Sequence, residues 1–429
     1  MKKDSHKHTE IGGIPYGWQV NPLITVADVV MGQSPPSSTY NIDKTGMPFF
    51  QGRTDFGSRY PLVTVWCSEP KKISKKGDVL LSVRAPVGDL NIAKEDCCIG
   101  RGLAAISLKK GSNNFLYYLL SFNKEKLKSI FESEGTVFGC VNKKGLNDFD
   151  VYIPKNLEER ESIAKVLSDL DSKIELNSEM NKTLEAVGRA LFNRWFVDYE
   201  FPDEKGRPYK SSGGEMVYCE ELGKEIPIGW TGRKLKEFID LERGLSYKGS
   251  GLSEEGIPMV NLGMIAPHCG FLYAGLKYYI GEFKERNLVR PGDLVIANTD
   301  ITQNRVVLGS PAIVPSDLGS EKILFTHHIY AVRNKSILPN LFLYYLLQLE
   351  NFKERSRGFA TGTTVLALPE DAVLELQFVV PEEGLLTKFN ELATSIQEKT
   401  TVNHIENRTL IKIRDSLLPK LMSGEIRVA

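Results

Sequence analysis

The chain has 429 residues, of which 41% are hydrophobic and 25% charged, and its formal net charge at pH 7 is zero. This composition excludes a globally disordered chain and supplies enough apolar residues for more than one buried core. No run of apolar residues approaches the roughly 18 that a membrane span needs, and no apolar signal core follows Met1, so we expect a cytoplasmic protein without a membrane partner.

The sequence contains an internal duplication. The hexapeptide Phe115–Leu120 recurs at Phe342–Leu347, 227 positions later, and Ile153-Pro154 recurs as Val380-Pro381 at the same offset. Two further pairs are Gly135-Thr136-Val137 with Gly362-Thr363-Thr364, and Ile14–Trp18 with Ile226–Trp230. A period above 200 residues is long enough for a whole domain, so we predict two similar domains related by a pseudo-twofold axis.

Each predicted domain mixes short strands with short helices. The apolar runs Val79–Val83 and Leu294–Ala297 both follow a Gly-Asp pair, which is a turn-to-strand signal. The aromatic segments that begin at Phe115 and Phe342 have the spacing of buried helices. We therefore predict an α+β fold class, with the first domain in residues 1–155 and a linker plus the second domain in residues 200–381.

A long helix is predicted after each domain, in residues 156–199 and, together with a C-terminal tail, in residues 382–429. A heptad frame assigns a to Ile163, Leu170, Asn177, Leu184 and Leu191, and d to Val166, Lys173, Met180, Val187 and Arg194. At an offset of 226 it assigns a to Phe389, Ile396, Asn403, Leu410 and Leu417, and d to Leu392, Lys399, Glu406, Ile413 and Lys420. The central a residue is asparagine in both, the residue that sets register in coiled coils at some cost in stability.

Two arrangements of these helices are open. Each helix can lie on its own domain, as amphipathic helices commonly do. Alternatively, the two helices pair antiparallel as a coiled coil. The apolar stripe of five heptads is roughly 50 Å long, more than one domain of this size covers, so we favour pairing, which would hold the domains at a fixed separation.

Motifs for catalysis are absent from the sequence. There is no phosphate-binding loop and no glycine-rich dinucleotide fingerprint, and Ser34-Pro-Pro-Ser37 lacks the aromatic residue of an amine-methyltransferase motif and is predicted to be a loop. Asp171-Ser-Lys173 resembles a nuclease Asp-x-Lys, but Lys173 falls at a d position of a helix. We therefore predict no catalytic residue.

Metal and cofactor sites are not predicted either. His327 and His328 are adjacent on a predicted strand and so should point apart. The six cysteines contain no Cys-x-x-Cys pair, which indicates reduced thiols rather than structural zinc.

The chain resembles the specificity (S) subunit of type I restriction-modification enzymes. The resemblance rests on Lys76–Asp89, on Cys98–Ala105, on the Gly-Thr elements at 135 and 362, and on the paired helices, and it covers nearly the whole chain. It implies two target-recognition domains that each read one part of a split double-stranded DNA sequence. It also implies partners: two methylation subunits that carry S-adenosylmethionine, and two restriction subunits that use ATP and Mg²⁺.

Candidate DNA-binding residues follow from the preference for Arg, Lys, Asn, Gln, Ser and Thr in base and phosphate contacts. In the first domain the leading segment is Gln51-Gly-Arg53-Thr54, because a glycine permits close approach and Gln51 and Arg53 can form bidentate contacts. Arg84 and Arg101 follow, although Arg84 could instead form a salt bridge with Asp89. In the second domain the candidates are Asn261, Asn298, Thr299, Gln303 and Asn304.

A lysine cluster supplies the predicted phosphate contacts, or equally a solvated turn: Lys71, Lys72, Lys75 and Lys76. Residues 1–155 carry 21 Lys and Arg against 15 Asp and Glu, an excess compatible with either interpretation. The second domain has Ala297–Ile301 where the first has Ser82–Pro86, and His327 where the first has Arg101. Reading of different sequences and drift after duplication both predict such differences.

The resulting hypothesis is a non-catalytic DNA-recognition subunit that docks catalytic partners. Two alternatives remain: a coiled-coil adaptor that binds proteins only, and a self-contained DNA methyltransferase or nuclease with an unrecognised site.

Overall fold

The structure, a computed structural model, describes residues 6–9, 12–133, 141–267, 269–302 and 304–428. The predicted Gly135-Thr136-Val137 element and the candidate Gln303 lie outside these residues. The chain divides into two compact units, a first of Met1–Glu175 with Asn407–Ala429 and a second of Leu176–Glu406. Within the described ranges, no helix is long and apolar enough to cross a membrane.

The first unit combines β-sheets with short helices. Its strands are β1 His6–Thr9, β2 Gly12–Pro15, β3 Trp18–Pro22, β4 Ala27–Met31, β5 Tyr40–Asn41, β6 Met47–Phe50, β7 Trp66–Cys67, β8 Ile73–Ser74, β9 Val79–Ser82, β10 Leu90–Ile92, β11 Cys97–Ile99, β12 Leu103–Leu108 and β13 Asp150–Pro154. Its short helices are α1 Leu23–Val26, α2 Asn113–Phe122, α3 Lys124–Ser133 and α4 Lys143–Asn147.

Two main sheets form this unit. One is antiparallel, with the order β10-β9-β12-β4, and the other has the order β5-β7-β6-β11-β8. In the second sheet β6 and β11 are parallel, whereas their other pairings are antiparallel. Strands β3 and β13 pair with each other, which brings the start and the end of the domain together.

The long helix α5 Leu157–Phe192 begins in the first unit and continues into the second, where a π-helical turn, Asn193–Val197, follows it. The strands of the second unit are β14 Met216–Cys219, β15 Lys224–Pro227, β16 Thr231–Lys234, β17 Ile239–Arg243, β18 Leu252–Ser253, β19 Ile257–Val260, β20 Lys277–Tyr279, β21 Leu288–Val289, β22 Leu294–Ala297, β23 Thr299–Asp300, β24 Pro311–Ile313, β25 Ile323–Phe325, β26 Ile329–Asn334, β27 Leu366–Ala367 and β28 Gln377–Val380. Its helices are α6 Asn340–Leu346, α7 Glu350–Phe359, α8 Glu370–Leu374 and the long α9 Glu383–Met422, which ends in the first unit.

The sheets of the second unit repeat the strand order of the first. The four-stranded sheet is β17-β26-β22-β24 and the five-stranded sheet is β18-β20-β19-β25-β21. The parallel pair recurs at the same place, between β19 and β25, and β16 pairs with β28 as β3 does with β13. The predicted α+β class and the duplication of the domain are therefore confirmed.

Alternation along one central strand divides the apolar residues of each unit between two cores. In β9, Val79 and Leu81 pack with Phe115 of α2, whereas Leu80 packs with Phe50 and residues of β11 and β12 on the opposite face. In β22, Leu294 and Ile296 lie in one core and Val295 in the other. Burial on both faces explains why these strands are continuously apolar.

The long helices are antiparallel within each unit. In the first unit, Asn407 donates to the Ile174 carbonyl (3.2 Å) and Arg414 donates to Asp171 (2.7 Å). In the second unit, the Asn177 amide donates to Glu406 (2.8 Å). Residue numbers rise along one helix as they fall along the other, so the antiparallel prediction is confirmed.

The heptad frame was correct for one row of the helix seam and wrong for the other. Asn177 and Asn403 are buried, and Asn403 donates to Asn181 (2.7 Å), so the two central asparagines have different partners. Val166 and Leu392, which the frame placed at d, are 36% and 46% exposed, whereas the next residues, Leu167 and Ala393, are buried. Apolar residues occur at both spacings, three and four, and only packing selects between them.

The last turn of α9 completes the core of the first unit. Leu421 and Met422 are buried among the same residues as Trp18 and Ile163. Past the helix, Arg427 binds the Glu159 carboxylate through Nε and Nη2 (2.5 and 2.8 Å). The end of the chain is therefore part of the first domain's packing.

A buried carboxylate joins α5 to the first domain. Asp171 accepts a hydrogen bond from Tyr118 of α2 (2.5 Å) and forms ion pairs with Arg59 (3.2 Å) and with Arg414 of α9 (2.7 Å). The side chain of Asp171 is only 8% exposed. The nuclease-like Asp171-Ser-Lys173 is therefore a structural element, as its helical position indicated.

Replacement of this carboxylate should destabilise the first unit. We expect Asp171→Ala to lower its free energy of unfolding by about 3–5 kcal/mol, because two cations would lose their buried partner. Urea unfolding followed by circular dichroism measures the change. The matched control is Asp169→Ala, which removes an exposed i,i+4 pair with Lys165 and should cost about 0.5 kcal/mol or less. Equal losses for the two variants would contradict this role of Asp171.

Candidate nucleic-acid interface

A crevice of about 900 Å³ opens in the first unit where the parallel strands β6 and β11 end. Gln51 directly follows β6, and Arg101 follows β11 after one glycine. Ser34 lies three residues past the end of β4. The lining consists of Gln33, Ser34, Pro35, Pro36, Ser37, Tyr40, Phe49, Gln51, Asp55, Val65, Lys71 and Arg101. Two sequence candidates, Gln51 and Arg101, therefore share one site.

Gln51 is exposed but held in position. Its amide Nε2 donates to Ser34 Oγ (2.9 Å), and the same oxygen accepts the backbone N–H of Arg101 (3.2 Å). The backbone N–H groups of Gln51 and Gly52 both donate to the Asp55 carboxylate (2.6 and 3.1 Å). A side chain and a backbone that are already ordered lose less entropy when a ligand binds.

The floor of the crevice is apolar. The rings of Tyr40 and Phe49 are 4.6 Å apart, and the Tyr40 hydroxyl donates to the Pro35 carbonyl (2.9 Å). Burial raises the pKa of Tyr40, so this hydroxyl stays protonated at neutral pH. Ser34–Ser37 was predicted to be a loop, and the structure brings the aromatic residues Tyr40 and Phe49 to it, which lie three and twelve residues past Ser37.

Arg53 and Gln51 do not share a site, although they are two residues apart. Arg53 lines a separate depression, where Nε contacts Asp89 (2.6 Å), and Lys124 contacts the same carboxylate (2.6 Å). Partial burial raises the pKa of Asp89, but the bonds from Lys124 and Arg53 outweigh it and leave the pKa lowered. The alternative interpretation of Arg84 was a salt bridge with Asp89. Asp89 is instead paired with Arg53 and Lys124.

The remaining cationic and polar candidates of the first domain are exposed. Thr54, Arg84 and Arg101 reach solvent, as do Lys71, Lys72, Lys75 and Lys76. Within the lysine cluster, Lys75 forms an ion pair with Asp96 (2.7 Å), and the bond to Asp96 raises the pKa of Lys75. Lys71 lines the crevice beside Arg101.

In the second unit, Asn261 occupies the position that Gln51 has in the first. It follows β19, the counterpart of β6, and is half-buried. Its amide Nδ2 donates to the Gly275 carbonyl (2.8 Å), and its Oδ1 accepts the Gly263 N–H (3.0 Å). Asn304 is exposed on a separate loop.

Asn298 and Thr299 are structural residues in this conformation, which corrects their selection as base contacts. Asn298 is fully buried and donates to the His327 carbonyl (3.1 Å), and Thr299 is hydrogen-bonded to His328 Nδ1 (2.9 Å). Thr299 lies in β23, which pairs with β27. The residues around Thr299 could not predict this pairing, because β27 lies more than 60 residues later in the chain.

The sequence predicted that the adjacent histidines lie on a strand and point apart, and this prediction is wrong. They occupy a turn between β25 and β26, and their ring centroids are 3.9 Å apart. Burial, followed by the charges of His327 and Arg243, lowers the pKa of His328. Among the residues that the structure describes, no group of three His, Cys, Asp or Glu side chains could hold a metal ion.

Comparison with known proteins finds a matching domain and similar proteins. Residues 15–186 match the family described as the type I restriction modification DNA specificity domain. The type I restriction enzyme MjaIX specificity subunit of Methanocaldococcus jannaschii is 28% identical over 98% of this chain and 96% of its own length. The putative MjaX specificity subunit of the same organism is 41% identical, but over only 44% of this chain and 45% of that protein.

A solved structure has the same fold. The crystal structure of a type I restriction-modification system S subunit from M. genitalium superposes with a TM-score of 0.59 and 17% identity, and the match covers 94% of this chain and 96% of that one. Its likeness extends across both units and both long helices, in agreement with the sequence matches. Residues 15–186 therefore match a type I restriction modification DNA specificity domain, and the chain as a whole is similar in sequence and fold to type I specificity subunits.

Proposed function

We propose that this chain is the non-catalytic specificity subunit of a type I restriction-modification complex and that it reads a bipartite target, one domain for each half. The observation that carries the proposal is the repeated strand order, with a parallel pair at the same place in each unit. Each pair ends in polar residues, Gln51 and Arg101 in one unit and Asn261 and His327 in the other. One scaffold with two sets of side chains suits two different half-sites.

Cofactors and catalysis belong to the partners in this proposal. S-adenosylmethionine would be bound by two methylation subunits, and ATP and Mg²⁺ by two restriction subunits. Asp171, the carboxylate of the nuclease-like triplet, is committed to Arg59 and Arg414 and is buried, so it is not free to ligate a metal.

The outer surfaces of the long helices are proposed as the docking sites for the methylation subunits. In the second unit Leu176, Val187, Leu392, Val402 and Ile405 are exposed, and in the first unit Val166, Ile411 and Ile413 are. Six of these form three pairs with the offset of 226 that relates the two helices: Val166 with Leu392, Leu176 with Val402, and Val187 with Ile413.

Exposed apolar side chains that recur with the sequence repeat favour two copies of one partner rather than two unrelated proteins. The apolar character of these positions fits an amphipathic helix of the partner, because such a helix buries residues at spacings of three and four. In the second unit, Val402 and Ile405 also line a groove of about 740 Å³ next to α9.

Phosphate contact by Lys71 gives a first test. We expect Lys71→Ala in the assembled complex to weaken binding to specific and non-specific duplexes alike and to reduce the slope of log affinity against log salt by about one unit. A fluorescence titration at several salt concentrations measures both quantities. The control is Lys75→Ala. Because the Lys75 ammonium group already binds Asp96, this substitution should change the slope less.

Exchange of one domain tests independent reading. Replacement of residues 1–155 by the corresponding domain of another specificity subunit should change one half of the methylated motif and leave the other half and the spacing intact. Sequencing of methylated adenines in cells that carry the hybrid gives the motif directly. A change in both halves would show that the domains do not read independently.

Charge on the apolar helix surface tests docking. We expect Val402→Asp to abolish co-purification of the methylation subunits, because a carboxylate would be buried without a partner, while the thermal unfolding of the free chain changes little at this exposed site. The control is Thr387→Asp, which introduces the same group at an exposed polar position of the same helix. Retention of the partners by Val402→Asp would place the docking surface elsewhere.

A further inference from the structure

The end of the parallel strand pair has equivalent backbone bonds in the two units, so individual positions can be matched. In the first unit Gly100 N–H donates to the Phe50 carbonyl (2.8 Å), and in the second Thr326 N–H donates to the Val260 carbonyl (3.0 Å). Gln33 N–H donates to Ile99 as Leu245 N–H donates to Phe325. These bonds define three matched side-chain positions: Ser34 with Ser246, Gln51 with Asn261, and Arg101 with His327.

The serine is common to both units, whereas the other two positions differ. Gln51 is longer than Asn261 by one methylene group, and Arg101 carries a permanent charge that a histidine at its position does not. A common serine beside two side chains that differ is the arrangement expected where two domains with one scaffold have different ligands. The two positions that differ are those of Gln51 and Arg101, which are exposed in the first unit.

Only the first unit presents its amide outward. Gln51 is exposed, and both of its amide atoms contact the Ser34 hydroxyl at the rim of the crevice, whereas Asn261 is half-buried and its amide atoms are bonded to backbone groups of Gly275 and Gly263. Residue 100 decides whether this is possible. A Cβ on Gly100 would lie 2.7 Å from Gln51 Oε1 and 3.0 Å from Gln51 Cα, so a glycine is needed there. The second unit has Thr326 instead, which is buried.

The two outward side chains have distinct base preferences. An amide matches adenine N6 and N7 in the major groove, and a guanidinium matches guanine O6 and N7. Lys71 lines the same crevice, where an ammonium group can contact a phosphate beside the bases that are read. Arg53 is excluded from this role, because it lines another depression and is paired with Asp89.

We infer that Gln51 and Arg101 are the specificity-determining residues of the first domain: Gln51 reads an adenine and Arg101 a guanine in one half of the target, and Ser34 is the positioning residue for Gln51. This inference rests on the proposed function. It adds which side chains choose the half-site sequence and which bases they choose. The second domain uses the matched positions with other chemistry.

The experiment uses the full chain assembled with its methylation subunits and selects bound duplexes from a randomised pool. Gln51→Ala should reduce the preference for adenine at one position by about 5- to 150-fold. Gln51→Glu should move that preference towards cytosine, because a carboxylate accepts from cytosine N4. Arg101→Ala should reduce the preference for guanine at a second position of the same half-site by a similar factor.

Two variants of Ser34 and one control variant separate positioning from folding. Ser34→Ala should weaken the adenine preference more than the guanine preference, because Ser34 contacts the side chain of Gln51 but only the backbone N–H of Arg101. Ser34→Thr should restore the adenine preference, because the hydroxyl is retained. Arg53→Ala is the matched control for Arg101→Ala and should leave the preferred sequence unchanged. Thermal unfolding of each free chain confirms that the variants are folded.

The outcomes distinguish this inference from the proposed function. If the unaltered complex selects no bipartite sequence, the proposed function fails and the inference fails with it. If the unaltered complex selects such a sequence and the Gln51 and Arg101 variants select the same one, the inference alone is overturned. Changes at one position each, confined to one half-site, support it.

Discussion

The parallel pairing of β6 with β11, and of β19 with β25, is the constraint on which the candidate interface depends. Parallel strands end on the same side of a sheet, so residues that are about 50 positions apart in the chain, such as Gln51 and Arg101, meet at one edge. The remaining pairs in these sheets are antiparallel. The side chains that follow the parallel pair can therefore differ between the two units, while the backbone hydrogen bonds of the pair stay the same.

Polar residues pair within the seam between the long helices, and several apolar residues lie outside it. Asn177, Asn181 and Asn403 are hydrogen-bonded across the seam of the second unit, and Asp171 with Arg414 does the same in the first. Polar seam residues favour one register because any shift leaves a buried group without its partner. Apolar residues such as Val402 are correspondingly left outside, where they are available to a partner protein.

Several features of the site were predictable and others were not. Gln51 and Arg101 were chosen for their residue types, and their meeting in one crevice follows from strand order, which the sequence did not reveal. Asn298 has an equally suitable side chain but is fully buried between β22 and β23, where its amide donates to the His327 carbonyl of the histidine turn. Val166 and Leu167 are both apolar, so the choice of seam row required knowledge of what packs against the helix.

The sequence by itself determined the duplication, the α+β class and the two long helices, and it favoured their antiparallel pairing, because each depends on internal repeats or on the periodicity of apolar residues. Tertiary structure alone decided which polar side chains are presented and which are consumed: Ser34 orients Gln51, whereas Asp89 engages Arg53. The physical reason is that exposure and hydrogen-bond partners depend on contacts between segments distant in sequence, and residue type carries no information about those contacts.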